Sequence, residues 1–178
     1  MERKEDIRLV TQVAVFHNRQ AFDKLMKEYQ SPIRRFLLSQ TLGDSQLSDD
    51  LAQDTFVKAY THISQFQGKS SFLTWLFRIA YNVFYDYVRT HKETTDIDTP
   101  SLRSERATAV NSNLKMDLYK ALQLLNDNER ICITLQFMEG QSIEKISEIS
   151  SIPQNTVKSH LARGKKKMAD FLRANGYN

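Results

Sequence analysis

Apolar residues recur along this chain at intervals of three and four, the spacing that places side chains on one face of an α-helix. The clearest early run consists of Phe22, Leu25, Met26, Tyr29, Ile33, Phe36 and Leu37. Pro32 falls inside this run, and we expect a kink or a restart of the helix there. The polar segment 43–48 predicts a loop, and Ser48 is the candidate cap of the next helix. One face of that helix carries Leu51, Thr55, Tyr60 and Ile63.

A second loop is predicted at residues 66–71, and an unusually aromatic helix follows from about residue 72 to residue 91. The composition then changes to Ser, Thr and charge, which predicts a flexible linker over residues 92–112. Helical spacing returns with Leu114, Leu118, Leu122 and Leu125. Because Gly and Pro are scarce, at five and three, we predict an all-α fold. It consists of two small helical domains, residues 7–91 and 113–178, joined by the linker.

Near the end of the chain, two helical patterns meet at a tight break. Ile143, Ile146 and Ile149 recur every third residue, and Pro153 then interrupts the spacing. A longer and strongly basic pattern follows, with apolar positions such as Leu161. This order of a short helix, a turn and a basic second helix is typical of proteins that place side chains in the major groove of DNA.

The net charge of +4 is unevenly distributed. Residues 154–178 carry six basic side chains and one acid, which suits contact with phosphates. Residues 44–54 carry four acids and no base, which suits contact with a basic protein surface. The single Cys132 excludes an internal disulfide, and its apolar neighbours predict a buried thiol.

The sequence offers no sign of catalysis or of membrane insertion. The four histidines are scattered, and we find no Gly-rich phosphate loop, HExxH motif or nucleophile elbow. A metal site at Asp49, Asp50 and Asp54 is disfavoured because this segment is predicted to be helical, whereas hard-cation loops contain turns. We therefore expect neither an enzyme nor a cofactor or metal. No run of about 20 apolar residues occurs, and the first residues do not form a secretory signal, so a cytoplasmic protein is expected.

Three stretches together resemble the extracytoplasmic-function (ECF) group of bacterial RNA polymerase sigma factors. They are LSDDLAQDTFVKAYTHISQF (residues 47–66), SFLTWLFRIAYNVFYDYVR (71–89) and EGQSIEKISEISSIPQNTVKSHLARGKKKM (139–168). The resemblance implies a region-two domain and a region-four domain that bind core RNA polymerase and promoter DNA. It also implies an inhibitory anti-sigma factor. The segment TVKSHL resembles the output domains of response regulators as well, so a helix–turn–helix regulator that acts without core polymerase is the alternative.

The same resemblance suggests a role for particular side chains. The polymerase-binding candidates are Asp50, Gln53, Asp54 and Val57. The candidates for the melted −10 element are Gln67, Lys69, Ser70, Ser71, Phe72, Trp75, Arg78 and Asn82. The candidates for the −35 element are Thr156, Lys158, Ser159, His160, Ala162, Arg163 and Lys166. Phe72 and Trp75 also fit a packed core, and the sequence leaves open whether His160 faces DNA or solvent.

Overall fold

The computed structural model describes the backbone of residues 3–94 and 112–177. Within these residues every regular element is helical, which confirms the all-α prediction. The α-helices are α1 (Arg3–Phe16), α2 (Arg19–Gln40), α3 (Ser45–Thr61), α4 (Phe72–Thr94), α5 (Ser112–Gln123), α6 (Asp127–Ile133), α7 (Ile143–Ser150) and α8 (Gln154–Ala174). A 3₁₀ turn covers Ile63–Gln65, and a π-helical turn covers Thr134–Met138. The predicted linker, apart from the ends of α4 and α5, lies outside the described residues.

The start of α3 differs from the prediction. The helix begins at Ser45, and the carboxylate of Asp44 caps it by accepting a hydrogen bond from the Leu47 amide at 3.0 Å. Ser48 is buried inside the helix, where its hydroxyl donates to the Ser45 carbonyl at 2.9 Å. The prediction that Ser48 is the cap is therefore wrong, because an aspartate four residues earlier accepts the hydrogen bond of a free amide in the first turn of the helix.

Helix α2 runs from Arg19 to Gln40 without restarting at Pro32. Proline removes one hydrogen bond from the interior of a helix. Leu25 before it, and Ile33 and Phe36 after it, are completely buried. Their packing against neighbouring helices holds the helical backbone in place, since most helical stability in proteins comes from such packing.

The N-terminal half, α1 to α4, forms a helical bundle in which α2 packs against α1, α3 and α4. One buried polar contact fastens α1 to α2: the Tyr29 hydroxyl lies 2.8 Å from both carboxylate oxygens of Asp6. Burial raises the pKa of Asp6, and the hydrogen bond from Tyr29 opposes this effect. The Tyr29 ring also contacts Phe72 at the first turn of α4, with the ring centroids 5.6 Å apart. The N-terminal helix thus supports the beginning of the aromatic helix.

The C-terminal half places α8 against α5, α6 and α7. Gly164 in the middle of α8 is buried at the crossing with α6. A methyl group added there would lie 2.8 Å from Cγ1 of Ile133 and 3.2 Å from its Cδ1. The glycine, which looks like a weak point when only helix propensity is considered, is what permits the two helices to approach so closely.

The two halves of the chain also pack against each other. Helix α7 lies on α4, while α6 and the π-helical turn lie against α2. Buried apolar residues of both halves belong to one contiguous core, with Phe36 and Phe77 on one side and Ile131 and Leu135 on the other. We call this contact the seam. The sequence analysis predicted two domains and gave no indication of it.

We predict that Gly164→Ala destabilises the protein. Alanine gains about 1 kcal/mol of helix propensity over glycine. The contact with Ile133 is tighter than normal packing allows, and overpacking typically costs about 1–3 kcal/mol. We expect urea unfolding, followed by circular dichroism, to show a net loss of about 1 kcal/mol. Ala162→Gly is the control: position 162 is exposed on the same helix, so this substitution changes helix propensity without changing packing. A variant at position 164 that is more stable than the wild type would contradict the packing account.

Candidate nucleic-acid and protein interfaces

The basic helix α8 has a packed side and an open side. Its packed side consists of Val157, His160, Leu161 and Gly164, which recur at intervals of three and four. The open side carries six of the seven residues that the sequence suggests for the −35 element: Thr156, Lys158, Ser159, Ala162, Arg163 and Lys166. These side chains therefore form one solvent-facing surface on a single helix, which is the geometry that major-groove readout requires.

His160 is the exception among the −35 candidates. It is only 9% exposed and lies on the packed side of α8. Its Nδ1 atom lies 3.2 Å from a guanidinium nitrogen of Arg163. Burial, followed by the positive charge of Arg163, lowers the pKa of the imidazole. His160 is thus a packed residue beside the exposed surface, and we do not include it among the proposed DNA contacts.

A buried carboxylate fixes the exposed surface of α8 to α6. Glu129 is 1% exposed, and its two oxygens lie 2.7 Å from Nζ of Lys167 and 3.6 Å from Nε of Arg163. It also completes a capping box with Asn126 at the start of α6. Burial alone would raise the pKa of Glu129, because it disfavours the ionised form. Hydrogen bonds from Lys167 and from the Asn126 amide outweigh this effect, so the pKa of Glu129 is lowered. The sequence analysis missed this residue, although its spacing from Asn126 is typical of a capping box.

The run of three lysines in α8 is divided among different contacts. Lys165 lies over the ring of Phe137, with Nζ 5.6 Å from the centroid. Lys167 is paired with Glu129. Lys166 lies on the solvent side with Arg163. The run therefore does not form a uniform phosphate-binding surface, and Lys166 is its best-placed member for contact with DNA.

Helix α4 exposes a polar stripe along its length. Arg78, Asn82, Asp86 and Arg89 follow one another at helical spacing and face solvent. Asp86 forms ion pairs with Lys58 of α3 at 3.4 Å and with Arg89 at 3.3 Å. These pairs compensate the one acid in the stripe, so that Arg78 and Asn82 lie at the surface without an unpaired carboxylate beside them.

The loop before α4 leads into an aromatic cluster. The rings of Phe66, Phe72 and Trp75 lie 5.5–5.6 Å apart. Phe72 is 1% exposed and belongs to the core, whereas Trp75 is partly exposed. Part of the Trp75 indole therefore faces solvent, and Phe72 packs against it from the core side.

The polar candidates of this loop fall into two groups. Gln67 and Lys69 are exposed and Ser70 is half-buried, so all three are available at the surface. Ser71 has a structural task, since its hydroxyl oxygen accepts a hydrogen bond from the Thr74 amide at 3.1 Å at the start of α4. Gly68 has a φ of +67°, a left-handed conformation that glycine adopts without strain.

An open groove of about 790 Å³ lies between α2 and α3. Its lining is mainly apolar and consists of Phe22, Met26, Gln30, Ser31, Arg34, Asp49, Ala52, Gln53, Phe56, Val57 and Tyr60. Val57 is 56% exposed. Of the polymerase-binding candidates, Gln53 and Val57 line the groove, whereas Asp50 and Asp54 are exposed on α3 outside its lining.

An ion pair between Arg34 and Asp49 crosses this groove from α2 to α3. The guanidinium bonds both carboxylate oxygens, and it lowers the pKa of Asp49. The sequence analysis named two residues of the α3 side of the groove, Gln53 and Val57. It missed the α2 side, where apolar residues such as Phe22 and Met26 resemble ordinary core positions.

Within the described part of the chain, no group of three potential ligands is arranged to hold a metal ion. None of the described helices has the length and apolar character needed to cross a membrane.

We predict that Glu129→Gln destabilises the C-terminal half while preserving the capping hydrogen bonds. The loss of two ion pairs to a buried carboxylate should lower the free energy of unfolding by about 1–2 kcal/mol at pH 7. Because the folded-state pKa of Glu129 is below its ordinary value of 4.5, the contribution is complete above that pH. It disappears as the pH falls through the folded-state pKa.

Urea unfolding of both proteins between pH 7 and pH 3 tests this prediction. The stability difference should shrink on acidification. Glu144→Gln, at an exposed position of α7, is the matched control and should stay within about 0.5 kcal/mol of the wild type. A difference for Glu129→Gln that is independent of pH would mean that the ion pairs do not stabilise the fold.

Comparison with known proteins accounts for both halves of the chain. Residues 25–94 match the family described as sigma-70 region 2, and residues 115–168 match sigma-70 region 4. The ECF RNA polymerase sigma factor SigM of Bacillus subtilis is 34% identical over 151 residues, which cover 82% of this chain and 91% of SigM. The RNA polymerase sigma-H factor of Pseudomonas aeruginosa is 29% identical over 181 residues and 93% of each chain.

Solved structures show the same arrangement of helices. The sigma factor RpoE of Bartonella quintana, in complex with the anti-sigma factor NepR, matches with a TM-score of 0.73 and 26% identity. The match covers 85% of this chain and 96% of RpoE. CnrH, in complex with the cytosolic domain of CnrY, shares the fold with a TM-score of 0.76 over 97% of this chain, at 24% identity.

The match of residues 25–94 to sigma-70 region 2 decides between a sigma factor and a helix–turn–helix regulator that acts without polymerase. A helix–turn–helix regulator that acts without polymerase has no need of a sigma region 2, whereas this chain carries region 2 and region 4 in the order that the three stretches predict. The identity to SigM extends across both regions. The chain therefore belongs to the ECF sigma factors, the transcription initiation factors that bind core RNA polymerase and direct it to promoters.

Proposed function

We propose that this sigma factor uses three separate surfaces: α8 for the −35 element, the start of α4 with its preceding loop for the −10 element, and the α2–α3 groove for the polymerase. The proposed domains are residues 7–91 and 113–178, with residues 92–112 as the linker. The observation that carries the proposal is the open side of α8, where six candidate side chains share one exposed surface.

At the −35 element, Arg163 is the proposed base reader. Its position four residues after Ser159 places both on one side of α8. A guanidinium can bond two acceptors on a guanine edge, and a serine hydroxyl can bond either kind of base. Glu129 restrains the guanidinium before DNA arrives, which reduces the rotamer entropy lost on binding. Thr156, Lys158 and Lys166 are placed for phosphate contacts, which position the helix without reading sequence.

At the −10 element, Trp75 is the proposed stacking surface for an unpaired base. Stacking of a base on an aromatic side chain contributes about 1–3 kcal/mol. Gln67, Lys69 and Ser70 in the loop can hydrogen-bond the captured nucleotide, while Arg78 and Asn82 face the strand farther along α4. The proposed roles of Phe72 and Ser71 are indirect, since one packs behind Trp75 and the other caps the helix.

The groove between α2 and α3 is the proposed docking site for the polymerase. Val57 offers an exposed apolar anchor, and Gln53 lies beside it on the same lining. Asp50 and Asp54 outside the groove favour a basic partner, and they are expected to speed docking and fix its register more than to increase affinity.

We propose further that the protein acts in the cytoplasm, where the polymerase is, and that it is not an enzyme, because the polymerase performs the chemistry. A protein inhibitor is also proposed. It is supported by the similarity to RpoE of Bartonella quintana, which was solved with an anti-sigma factor.

Binding to purified core RNA polymerase, followed by run-off transcription from promoter fragments, tests the proposal. The wild type should form a stable complex and initiate transcription. Val57→Glu places a charge on the apolar groove and should weaken the complex by about 2 kcal/mol, roughly 30-fold. Gln46→Glu, on the exposed first turn of α3, adds the same charge outside the groove lining and should bind normally. Equal weakening by both variants would exclude the groove as the docking site.

Two substitutions about one turn apart on α8, at positions 163 and 166, distinguish base readout from phosphate contact. Arg163→Ala should cost about 1–3 kcal/mol at one upstream base pair and relax specificity there. Lys166→Ala should weaken binding about equally on all promoter sequences and reduce the salt slope by about one. The measurement is holoenzyme affinity for a set of promoters with single −35 substitutions. A uniform loss for Arg163→Ala would mean that Arg163 contacts phosphate only.

A further inference from the structure

Two buried side chains contact the exposed guanidinium of Arg163. Its Nη2 atom lies 3.2 Å from Nδ1 of His160, one turn earlier on α8. Its Nε atom lies 3.6 Å from Oε1 of Glu129 on α6. The Arg163 side chain is 58% exposed, whereas His160 and Glu129 are buried. An exposed arginine has many accessible rotamers, so contacts with two buried groups restrict the direction in which this side chain extends.

The chemistry of the guanidinium determines the protonation state of His160 in this contact. An arginine side chain carries N–H donors and no acceptor, and it stays charged. The ring nitrogen that faces it is therefore the acceptor, so Nδ1 of His160 is unprotonated and the proton of the neutral imidazole lies on Nε2. A doubly protonated ring would lose this acceptor and place a second positive charge 3.2 Å from the guanidinium. The contact thus requires a neutral imidazole.

The surroundings of His160 favour the neutral form. Helices α5, α6 and α7 pack on α8, and among their described residues Glu129 is the one whose charge acts on the imidazole, together with Arg163 of α8 itself. Burial, followed by the charge of Arg163, lowers the pKa of His160, and Glu129 opposes this shift only in part. The Oε2 oxygen of Glu129 accepts hydrogen bonds from Lys167 at 2.7 Å and from the Asn126 amide at 3.2 Å. Of these groups, His160 is the one expected to change charge between about pH 5 and pH 8.

Both contacts lie on one edge of the guanidinium. Nε and Nη2 are on the same side of this planar group, and Glu129 and His160 face these two atoms. The terminal edge, formed by the outward N–H groups of Nη1 and Nη2, is a second pair of parallel donors. Such a pair matches the N7 and O6 acceptors of guanine in the major groove. The two buried side chains therefore restrain Arg163 without using the edge that a base would bond.

We propose that His160 is a positioning residue for Arg163: together with Glu129 it holds the guanidinium in the orientation that reads a base of the −35 element, and it does not contact DNA itself. This role rests on the base-reading function proposed above for Arg163. Restraint in advance reduces the rotamer entropy that Arg163 loses when it bonds its base. It increases affinity for the promoter with the matching base and leaves a mismatched promoter unaffected. Protonation of His160 removes the restraint, so discrimination between bases decreases at acidic pH.

Imidazole spectra of the free full-length protein test the contact without DNA or polymerase. Long-range proton–nitrogen correlation spectra show which ring nitrogen is protonated, and His160→Asn assigns the signal among the four histidines. We expect the tautomer with the proton on Nε2. Arg163→Ala should raise the pKa of His160, whereas Arg173→Ala, which removes the same charge near the far end of α8, should leave it unchanged. A neutral ring protonated on Nδ1, or a pKa that Arg163→Ala does not move, would refute the contact.

Promoter discrimination by the holoenzyme tests the positioning role. The measured quantity is the ratio of affinities for two promoters that differ at the base pair where Arg163→Ala shows its loss. His160→Leu removes the acceptor and should lower this ratio about three- to tenfold, the effect of ordering an unrestrained arginine. His160→Asn has a similar helix propensity and keeps an uncharged acceptor near the position of Nδ1, so it should preserve the ratio. Equal losses in the two variants would overturn the proposal.

The pH profile of the same ratio requires no substitution, so it decides even if a variant at position 160 fails to fold. The ratio for the wild type should fall as the imidazole of His160 becomes protonated, over the pH range that the spectra give for its titration. Because both promoters are compared at each pH, general effects of acid on the polymerase cancel. His160→Asn should show no such fall. A wild-type ratio that stays constant while His160 titrates would overturn the proposal.

A double substitution distinguishes this role from direct contact with DNA. In the Arg163→Ala background, His160→Leu should cause no further loss of discrimination, because its effect passes through Arg163. A further loss would mean that His160 acts on DNA by another route, and the proposal would be wrong. If Arg163→Ala weakens binding equally on all promoters, the base-reading function fails and the positioning role fails with it. Refutation by the imidazole spectra, in contrast, leaves the proposed function of Arg163 intact.

Discussion

The packing of α2 against both halves of the chain is the interaction on which the rest of this structure depends. Three consecutive residues show why. Arg34 faces the groove, where it pairs with Asp49; Arg35 crosses the seam to Glu139; and Phe36 is buried in the core against Phe77. Successive positions on a helix differ in direction by about 100°, so one turn of α2 contributes to a groove, to the seam and to the core. The helix has to remain continuous for this, and it does so through Pro32.

Two buried carboxylates, Glu129 and Glu139, differ in how their charge is compensated. Glu129 is surrounded by donors of its own half, and its lowered pKa indicates that the ionised form is well compensated. Glu139 relies on a single arginine from the other half, and its pKa is raised by burial. A buried charge with many local partners holds a domain together. Removing Arg35 would leave the Glu139 charge buried and uncompensated in the seam.

The sequence predicted the parts of the fold and the site that depend on local spacing. The buried and exposed sides of α8 and the position of the aromatic helix α4 follow from helical periodicity. The sequence analysis failed where a feature depends on contacts between residues that are far apart in the sequence. Arg35 and Glu139 are separated by 104 positions, and nothing in the sequence near either indicates the pair. Helix propensity alone disfavours Gly164, and the contact that requires a glycine there is made with Ile133 of another helix. Ser48 was predicted as the cap because the start of α3 was placed too late in the sequence.

Small-angle X-ray scattering of the free protein tests the central claim most directly, because it needs neither label nor partner. A chain closed through the seam should have a radius of gyration of roughly 16 Å, and Arg35→Ala should increase that value. Two separated halves would give a clearly larger value for the wild type. That result, with no further change on substitution of Arg35, would contradict the account.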